Sequence, residues 1–343
     1  MRALGIAAPL LAFGIAALGT QLLARTPARL RFLLDQANAR SLHQGAIPRT
    51  GGIALFIGLS AGLLLLWGAD VLLPSWPWLA SALLLVALVS LWDDAGEVHP
   101  LFRLFVQTLA ALVLLAGGLR WSPLALPGLS YPPPDFLAEL LTLLYLLWHI
   151  NLYNFMDGMD GLAGGMALFG FGTLGFLGWQ AGALDFALVN GLIAAAAAGF
   201  LTGNLPPARI FLGDLGSTGL GLLAGSLSLL GAQQGLFPLW VAWLIFSPFL
   251  WDATWTLLRR ALRGEVLWQP HRSHHYQRLV LAGWSQRKTL GYAYALMLAC
   301  SLSALAALRM NSREQAWLMG AWVCVYGLLS DRVERVASHE PLV

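Results

Sequence analysis

The chain has 343 residues, of which 58% are hydrophobic and only 11% charged, with 20 Lys and Arg against 17 Asp and Glu. Soluble domains carry about a quarter charged residues, so this composition excludes an ordinary soluble domain and points to an integral membrane protein. The formal charge of +3 says little until the charges are placed along the chain, and no nucleic-acid partner is expected.

Apolar runs of this length read as membrane-spanning helices, the element that satisfies its own backbone in lipid. Eleven spans are expected, at about 3–23, 51–69, 76–92, 101–119, 135–150, 160–179, 183–202, 215–232, 236–257, 289–308 and 315–330. The expected architecture is an all-α polytopic membrane helix bundle forming a single domain, 1–343. The first apolar run is longer than a signal peptide needs and is taken as the first span. Trp148 and His149, at the end of the short fifth span, suit a membrane interface. Pro123–Pro134, rich in proline, reads as a plain connector, and Asp70–Trp78 places Trp76 and Trp78 at an interface. Cys300 and Cys324 fall inside spans and read as small apolar packing residues.

The cations are unevenly distributed between alternate loops. One side holds sixteen: Arg25, Arg29, Arg31, Arg40, Arg49, Arg103, Arg209, Arg259, Arg260, Arg263, Arg272, Arg278, Arg287, Lys288, Arg332 and Arg335. The other holds four, Arg2, Arg120, Arg309 and Arg313. The positive-inside rule then places the N-terminus outside and the C-terminus in the cytoplasm.

The polar motifs all fall on the basic side. Ser41-Leu-His-Gln-Gly-Ala-Ile-Pro-Arg-Thr-Gly-Gly52 combines a Pro48 turn, the phosphate-matching fork of Arg49 and a glycine-rich helix start. Asp93 and Asp94 end the third span, where adjacent carboxylates repel unless a cation or proton lies between them. Arg103, about one turn into the fourth span and near Gln107, can snorkel toward an anionic head group. Next comes Asn151-Leu-Tyr-Asn-Phe-Met-Asp-Gly-Met-Asp-Gly-Leu-Ala-Gly-Gly165. Its Asn151, Asn154, Asp157 and Asp160 recur every third residue, a drifting polar stripe if the segment is helical, with oxygen ligands suited to a hard cation. In Asn204-Leu-Pro-Pro-Ala-Arg-Ile-Phe-Leu-Gly-Asp-Leu-Gly-Ser217, Asp214 stands at a helix mouth as either an N-cap or a cation ligand. The last basic loop carries Pro270-His-Arg-Ser-His-His-Tyr-Gln-Arg278. Its mix of neutral and cationic donors fits a phosphate clamp better than zinc, since no cysteine lies in an aqueous loop. Together these loops imply a Mg²⁺ and phosphate site on the cytoplasmic face.

From Ser41 to about Lys288, these motifs in this order resemble the polyprenyl-phosphate N-acetylhexosamine-1-phosphate transferases (glycosyltransferase family 4). The Asp-Asp pair, Asn-Phe-Met-Asp-Gly-Met-Asp-Gly, Phe-Leu-Gly-Asp-Leu-Gly-Ser and the histidine-rich loop carry the resemblance. His271-Arg-Ser-His-His-Tyr-Gln departs from the consecutive histidines of the peptidoglycan branch and looks closer to the O-antigen-initiating branch. The resemblance implies attack by undecaprenyl phosphate on the β-phosphorus of a UDP-N-acetylhexosamine at the cytoplasmic face of a bacterial inner membrane. N-acetylglucosamine, N-acetylfucosamine and N-acetylquinovosamine all remain open as the sugar. It implies Asp214 as the main Mg²⁺ ligand, with Asn154 supporting it and Mn²⁺ as an alternative ion. Asp93 and Asp94 fall near the attacking phosphate, with Asp93 the better candidate base. Arg103 and Arg49 fall to the lipid phosphate. Asn151, Asp157, Asp160, Phe211, His271, Arg272, His274 and His275 fall to the nucleotide sugar. The resemblance is also compatible with a homodimer.

Three rivals have distinct signatures. A transporter keeps its ionisable residues near the bilayer midplane, whereas here they sit at helix ends on one side, and Asp252, inside the ninth span, is the one feature that favours this rival. A CDP-alcohol phosphotransferase shares the Asp157-x-x-Asp160-Gly161 start but continues differently at Gly164-Gly165. A non-catalytic lipid-phosphate-binding relative has no need of acids at every motif.

Overall fold

The computed structural model describes residues 2–25, 34–36, 46–71, 75–96, 98–121, 123–266, 269 and 271–338. Residues 41–45 of the Ser41–Gly52 motif, residues 72–74 of the Asp70–Trp78 loop, and Arg29, Arg31, Arg40 and Pro270 therefore lie outside the described residues. Chain order is α1 (Arg2–Ala24), β1 (Leu34–Gln36), β2 (Ala46–Pro48), α2 (Gly51–Trp67), α3 (Trp76–Ala95), α4 (Pro100–Ala116), β3 (Leu124–Leu126), β4 (Leu129–Tyr131), then α5 (Asp135–Phe155). It continues with α6 (Leu162–Gln180), α7 (Leu184–Asn204), α8 (Gly213–Gln233), α9 (Leu239–Leu262), α10 (His275–Leu281), α11 (Gln286–Ala307) and α12 (Ser312–Ser338).

The molecule is an all-α polytopic membrane bundle. Each expected span coincides with a helix, and eight helices (α1, α3, α5 to α9 and α11) are long and apolar enough to cross a bilayer. The apolar helices α2 and α4 have 17 residues each, the lower end of the spanning range of about 17–25. α12 lies outside the set of eight. The short α10 was not expected, nor was the antiparallel β3–β4 hairpin that replaces the plain connector in 123–134, with Leu124 opposite Tyr131 and Gly128 in its turn at φ +78°.

α8 is the centre: 89% of its apolar stretch is buried, against 22% for that of α1. Around it pack α5, α3 and α2, and further out α1, α2, α6 and α7 pack on one another. Small residues along α8 make this possible, because lipid gives helices no hydrophobic reason to associate and contact must come from close packing. A Cβ on Gly221 would lie 2.4 Å from the His149 carbonyl oxygen of α5. His149 is consequently buried and not interfacial: α5 continues to Phe155, so His149 lies inside the bundle, its Nδ1 3.0 Å from the Tyr145 carbonyl. Cys300 is buried beside Ser247 and Tyr326, whereas Cys324 is exposed on α12 and does no core packing. Exposed Leu84, Leu88 and Trp92 on α3, and Trp317, Val323 and Leu328 on α12, form apolar outer faces. Such faces suit lipid and would be aggregation sites in water.

Candidate phosphate and cation site

The start of α8 is the organising point. Gly213 takes φ +75°, and a Cβ there would sit 2.4 Å from the Arg49 carbonyl oxygen. The preceding Leu212 gives no side-chain cap. The capping carboxylate comes from α3 instead: Asp94 accepts the Asp214 N–H at Oδ1 (2.9 Å) and the Leu215 N–H at Oδ2 (3.1 Å). An anion here also meets the positive end of the α8 dipole. Asp94 therefore fills the cap role that Asp214 could have taken, and the Asp214 side chain points elsewhere. Its Oδ1 accepts from Asn154 Nδ2 at 2.7 Å, and its Oδ2 lies 3.9 Å from Arg103 Nη1. Asn154 also donates to Ser217 Oγ at 3.0 Å.

Asp93 faces α4. It is ion-paired with Arg103, and its Oδ1 accepts the Val98 N–H at 2.9 Å. Asn151, one turn before Asn154 on α5, donates to Gln107 Oε1 of α4 at 2.8 Å. Ser90 and Thr218, whose hydroxyls are 2.8 Å apart, tie α3 to α8 just beneath.

The start of α2 joins by backbone pairing. Phe211 N–H donates to Pro48 O (2.7 Å), Gly51 N–H to Phe211 O (2.8 Å) and Gly52 N–H to Leu212 O (2.7 Å). Gly52 is required by contact: a Cβ there would lie 2.5 Å from Gly216 N and 2.7 Å from Gly216 Cα. This pairing brings Arg49 close enough for its charge to act on Asp94 and Asp157.

The Asn151–Asp160 stripe is only half helical. Asn151 and Asn154 lie on the last turns of α5, whereas Asp157 and Asp160 lie in the turn between α5 and α6. The helix stops because the following residues are glycine-rich and Gly161, at φ +75°, begins α6. Desolvation, then the charges of Asp214 and Asp94, push the Asp157 carboxyl well above its usual range. Asp160 accepts the Ala208 N–H at 2.9 Å, which binds the turn to the 205–212 loop. Asn204, a residue given no role from sequence, completes this junction by accepting from Gly161 N–H and donating to Ile210 O, both at 2.9 Å.

The histidine loop is held by the residue that, in sequence, favoured the transporter rival. Asp252, buried on α9, has four donors near Oδ1: His275 N (2.9 Å), His275 Nδ1 (3.1 Å), Thr256 Oγ1 (3.1 Å) and His274 Nδ1 (3.3 Å). The carboxylate inside the ninth span that favoured a transporter is instead a support beneath the loop. His274 is only 2% exposed and stacks on Tyr276, so it is an internal strut more than an open donor. His271 packs on His274, and burial, then the neighbouring His274 and Arg260, push its pKa down to about 4. Arg272 is partly buried beside them. Arg260 fixes the preceding turn, bonding Glu265 Oε2 at 2.7 Å and the Val266 carbonyl at 2.9 Å. Tyr276 connects the two halves: its hydroxyl donates to Phe155 O at 3.1 Å and would be 2.2 Å from a Cβ on Gly158.

Asp93, Asp94, Asn151, Asn154, Asp214, Arg103, Arg49 and Phe211 thus meet around the α8 mouth. Asp157 and Asp160 lie alongside in the α5–α6 turn, and His271, Arg272, His274 and His275 form an adjoining wall reached through Tyr276. Asn204, Asp252 and Tyr276 were missed as site residues because their role is to hold other residues in place, and their partners are distant in sequence.

This is a membrane bundle with acids, amides and arginines gathered at one end, an arrangement suited to charged phosphate groups. Residues 76–232 match the model of glycosyl transferase family 4. An undecaprenyl-phosphate α-N-acetylglucosaminyl 1-phosphate transferase of Yersinia pestis is 30% identical over 328 residues, covering 89% of this chain and 86% of the relative. A probable undecaprenyl-phosphate N-acetylglucosaminyl 1-phosphate transferase of Bacillus subtilis (strain 168) is 29% identical over 277 residues, with 79% and 76% covered. A decaprenyl-phosphate N-acetylglucosaminephosphotransferase of Mycolicibacterium smegmatis is 29% identical over 316 residues, with 83% and 78% covered. The chain belongs to the polyprenyl-phosphate N-acetylhexosamine-1-phosphate transferase family.

Proposed function

We propose that the protein transfers an N-acetylhexosamine-1-phosphate from a UDP-sugar to undecaprenyl phosphate, releasing UMP, in the first membrane step of O-antigen or related surface-polysaccharide synthesis. The observation that carries this reading is the Asp94 cap on α8, which turns the Asp214 carboxylate toward Asn154 and Arg103. In the reaction, a terminal oxygen of the lipid phosphate forms a bond to the β-phosphorus, and the bond from that phosphorus to the bridging oxygen breaks. The bridging oxygen leaves with UMP. A phosphate monoester with second pKa near 6 is mostly dianionic at neutral pH, so the attacking group needs little deprotonation. Asp93, already paired with Arg103, fits a role in orienting that arginine as well as one as base.

Mg²⁺ is the ion this donor set suits. Among the described residues no three His, Cys, Asp or Glu side chains converge into a closed cage. Mg²⁺ commonly takes one or two carboxylates and completes its shell with water and substrate phosphates, a pattern that Asp214 can begin. Asn154 turns its amide nitrogen toward Asp214, so supporting a cation through Oδ1 requires the amide to turn over. When bound, the ion would neutralise charge on the diphosphate. Arg103 and Arg49 would hold the lipid phosphate, and His271 and Arg272 the diphosphate or sugar end of the nucleotide, with Asn151, Asp157, Asp160 and Phe211 lining it. In this reading the site faces the cytoplasm of a bacterial inner membrane, the side favoured by the sixteen basic residues.

The test is UMP release by the detergent-purified protein with undecaprenyl phosphate and Mg²⁺, supplying UDP-linked N-acetylglucosamine, N-acetylfucosamine and N-acetylquinovosamine in turn. Release with one sugar, abolished by EDTA, supports the reading and names the sugar. No release with any of them, while the lipid phosphate still binds, would favour a non-catalytic relative.

A further inference from the structure

Where α9, α10 and α12 meet, two arginines share one carboxylate. Arg259 of α9 pairs with Glu334 of α12, and Arg278 of α10 reaches the same Glu334 oxygen only at 4.0 Å. The two arginine side chains are 16% and 19% exposed, so neither is solvated like an ordinary surface cation. Among the described residues, Arg259 Nε and Arg278 Nη1 are buried without a hydrogen-bond partner. Burial, then the charge of Arg259, lowers the Arg278 pKa, and Arg263 adds a third repelling cation. Adjacent Arg260 shows what a satisfied arginine looks like here, with Glu265 and two carbonyls around it. A buried donor left without an acceptor costs free energy, more so when charged, and such a group calls for an explanation.

We propose that Arg259, Arg263 and Arg278 form an anion site, separate from the α8 mouth, that takes the phosphate of an anionic membrane-lipid head group. Guanidinium forks match phosphate oxygens in pairs. Arg259 lies in the last turn of a spanning helix, flanked by Leu258 and Leu262, which are 49% and 80% exposed. A lipid whose phosphate reached the arginines could lay its chains along those leucines, at the depth where juxtamembrane cations meet head groups. Soluble phosphate offers the same oxygens without the chains, so the test separates the two sources.

The full-length protein would be extracted from bilayers of mixed phosphatidylglycerol and phosphatidylcholine, and the retained lipid counted by native mass spectrometry. In parallel, thermal melting would be followed with inorganic phosphate or with chloride at equal ionic strength. Wild type should retain phosphatidylglycerol over phosphatidylcholine, and R278Q should weaken that retention about tenfold, the scale of one charged hydrogen bond. E334Q removes the competing carboxylate and should strengthen retention, a change that loss of folding could not mimic. Equal retention by wild type and R278Q, or weaker retention by E334Q, overturns the lipid assignment. If inorganic phosphate raises the melting temperature of wild type but not of R278Q while lipid retention is indifferent, the anion site stands and its ligand is soluble phosphate. No response in either arm overturns the site altogether.

Discussion

Removing the carboxylate of Asp252 should loosen the histidine loop without touching the α8 mouth. Asp252→Ala takes away the acceptor for His275 N–H and for the two imidazoles, and leaves a part-buried amide without that partner. Hydrogen bonds to a charged group are worth about 1.5–3 kcal/mol each. Breaking a buried charged cluster from one side costs about 3–5 kcal/mol, and this sets the scale for local stability of the loop. Asp252→Asn keeps an Oδ1 acceptor and loses the charge, so its effect should be smaller. Steady-state kinetics of UMP release, varying UDP-sugar and undecaprenyl phosphate separately, reads the consequence. In Asp252→Ala the KM for the UDP-sugar should rise at least about tenfold, which is 1.4 kcal/mol, with the KM for the lipid changed far less. Asp252→Asn should recover part of the loss. An unchanged UDP-sugar KM in Asp252→Ala, or equal rises for both substrates, would refute the loop-support argument.

Gly52→Ala should damage the junction of α2 and α8, because the three atoms nearest the new methyl are backbone atoms of Gly216 and Leu212 at 2.5–2.8 Å, which cannot move aside like a side chain. Overpacking and loss of the Gly52–Leu212 hydrogen bond together cost about 2–4 kcal/mol, visible as a lower melting temperature and a loss of turnover. Asp214→Asn should leave folding nearly intact, since Asp94 caps α8, yet reduce Mg²⁺-dependent UMP release at least about 100-fold, given the several kcal/mol a metal contributes. Near-normal turnover would remove Asp214 from the ligand assignment. The His271 pKa is near 4 in the folded chain, below its ordinary 6.5, so between those values the unfolded chain binds more protons. Stability from this residue should therefore fall as pH drops from about 6.5 to about 4, and His271→Gln should flatten that part of the melting-temperature profile.

The membrane class and helix positions were legible because apolar runs near bilayer length leave the backbone few alternatives. The chemical residues were legible for a related reason: Asp93, Asp94, Asn154 and Asp214 are polar groups at the ends of apolar segments, where their cost demands a purpose. Pattern alone misjudged local geometry. The three-residue recurrence from Asn151 to Asp160 makes one stripe only where the segment is helical, and glycines end α5 at Phe155, so Asn151 and Asn154 share the helix while Asp157 and Asp160 lie in a turn. His149 looked interfacial because the end of α5 was set too early.

By itself, the sequence determined that this is a polytopic helical membrane protein of the polyprenyl-phosphate N-acetylhexosamine-1-phosphate transferase family, with its charged groups concentrated in a few loops. Only the tertiary structure decided which of those groups act on one another. Asp94 caps α8 across 120 positions of chain, Asp252 supports histidines 22 and 23 residues away, and Asn204 closes onto Gly161 at a separation of 43. Hydropathy and local propensity describe each helix alone, whereas these bonds depend on how helices pack, and that is fixed by small residues such as Gly52 and Gly221 whose importance is the space they leave empty.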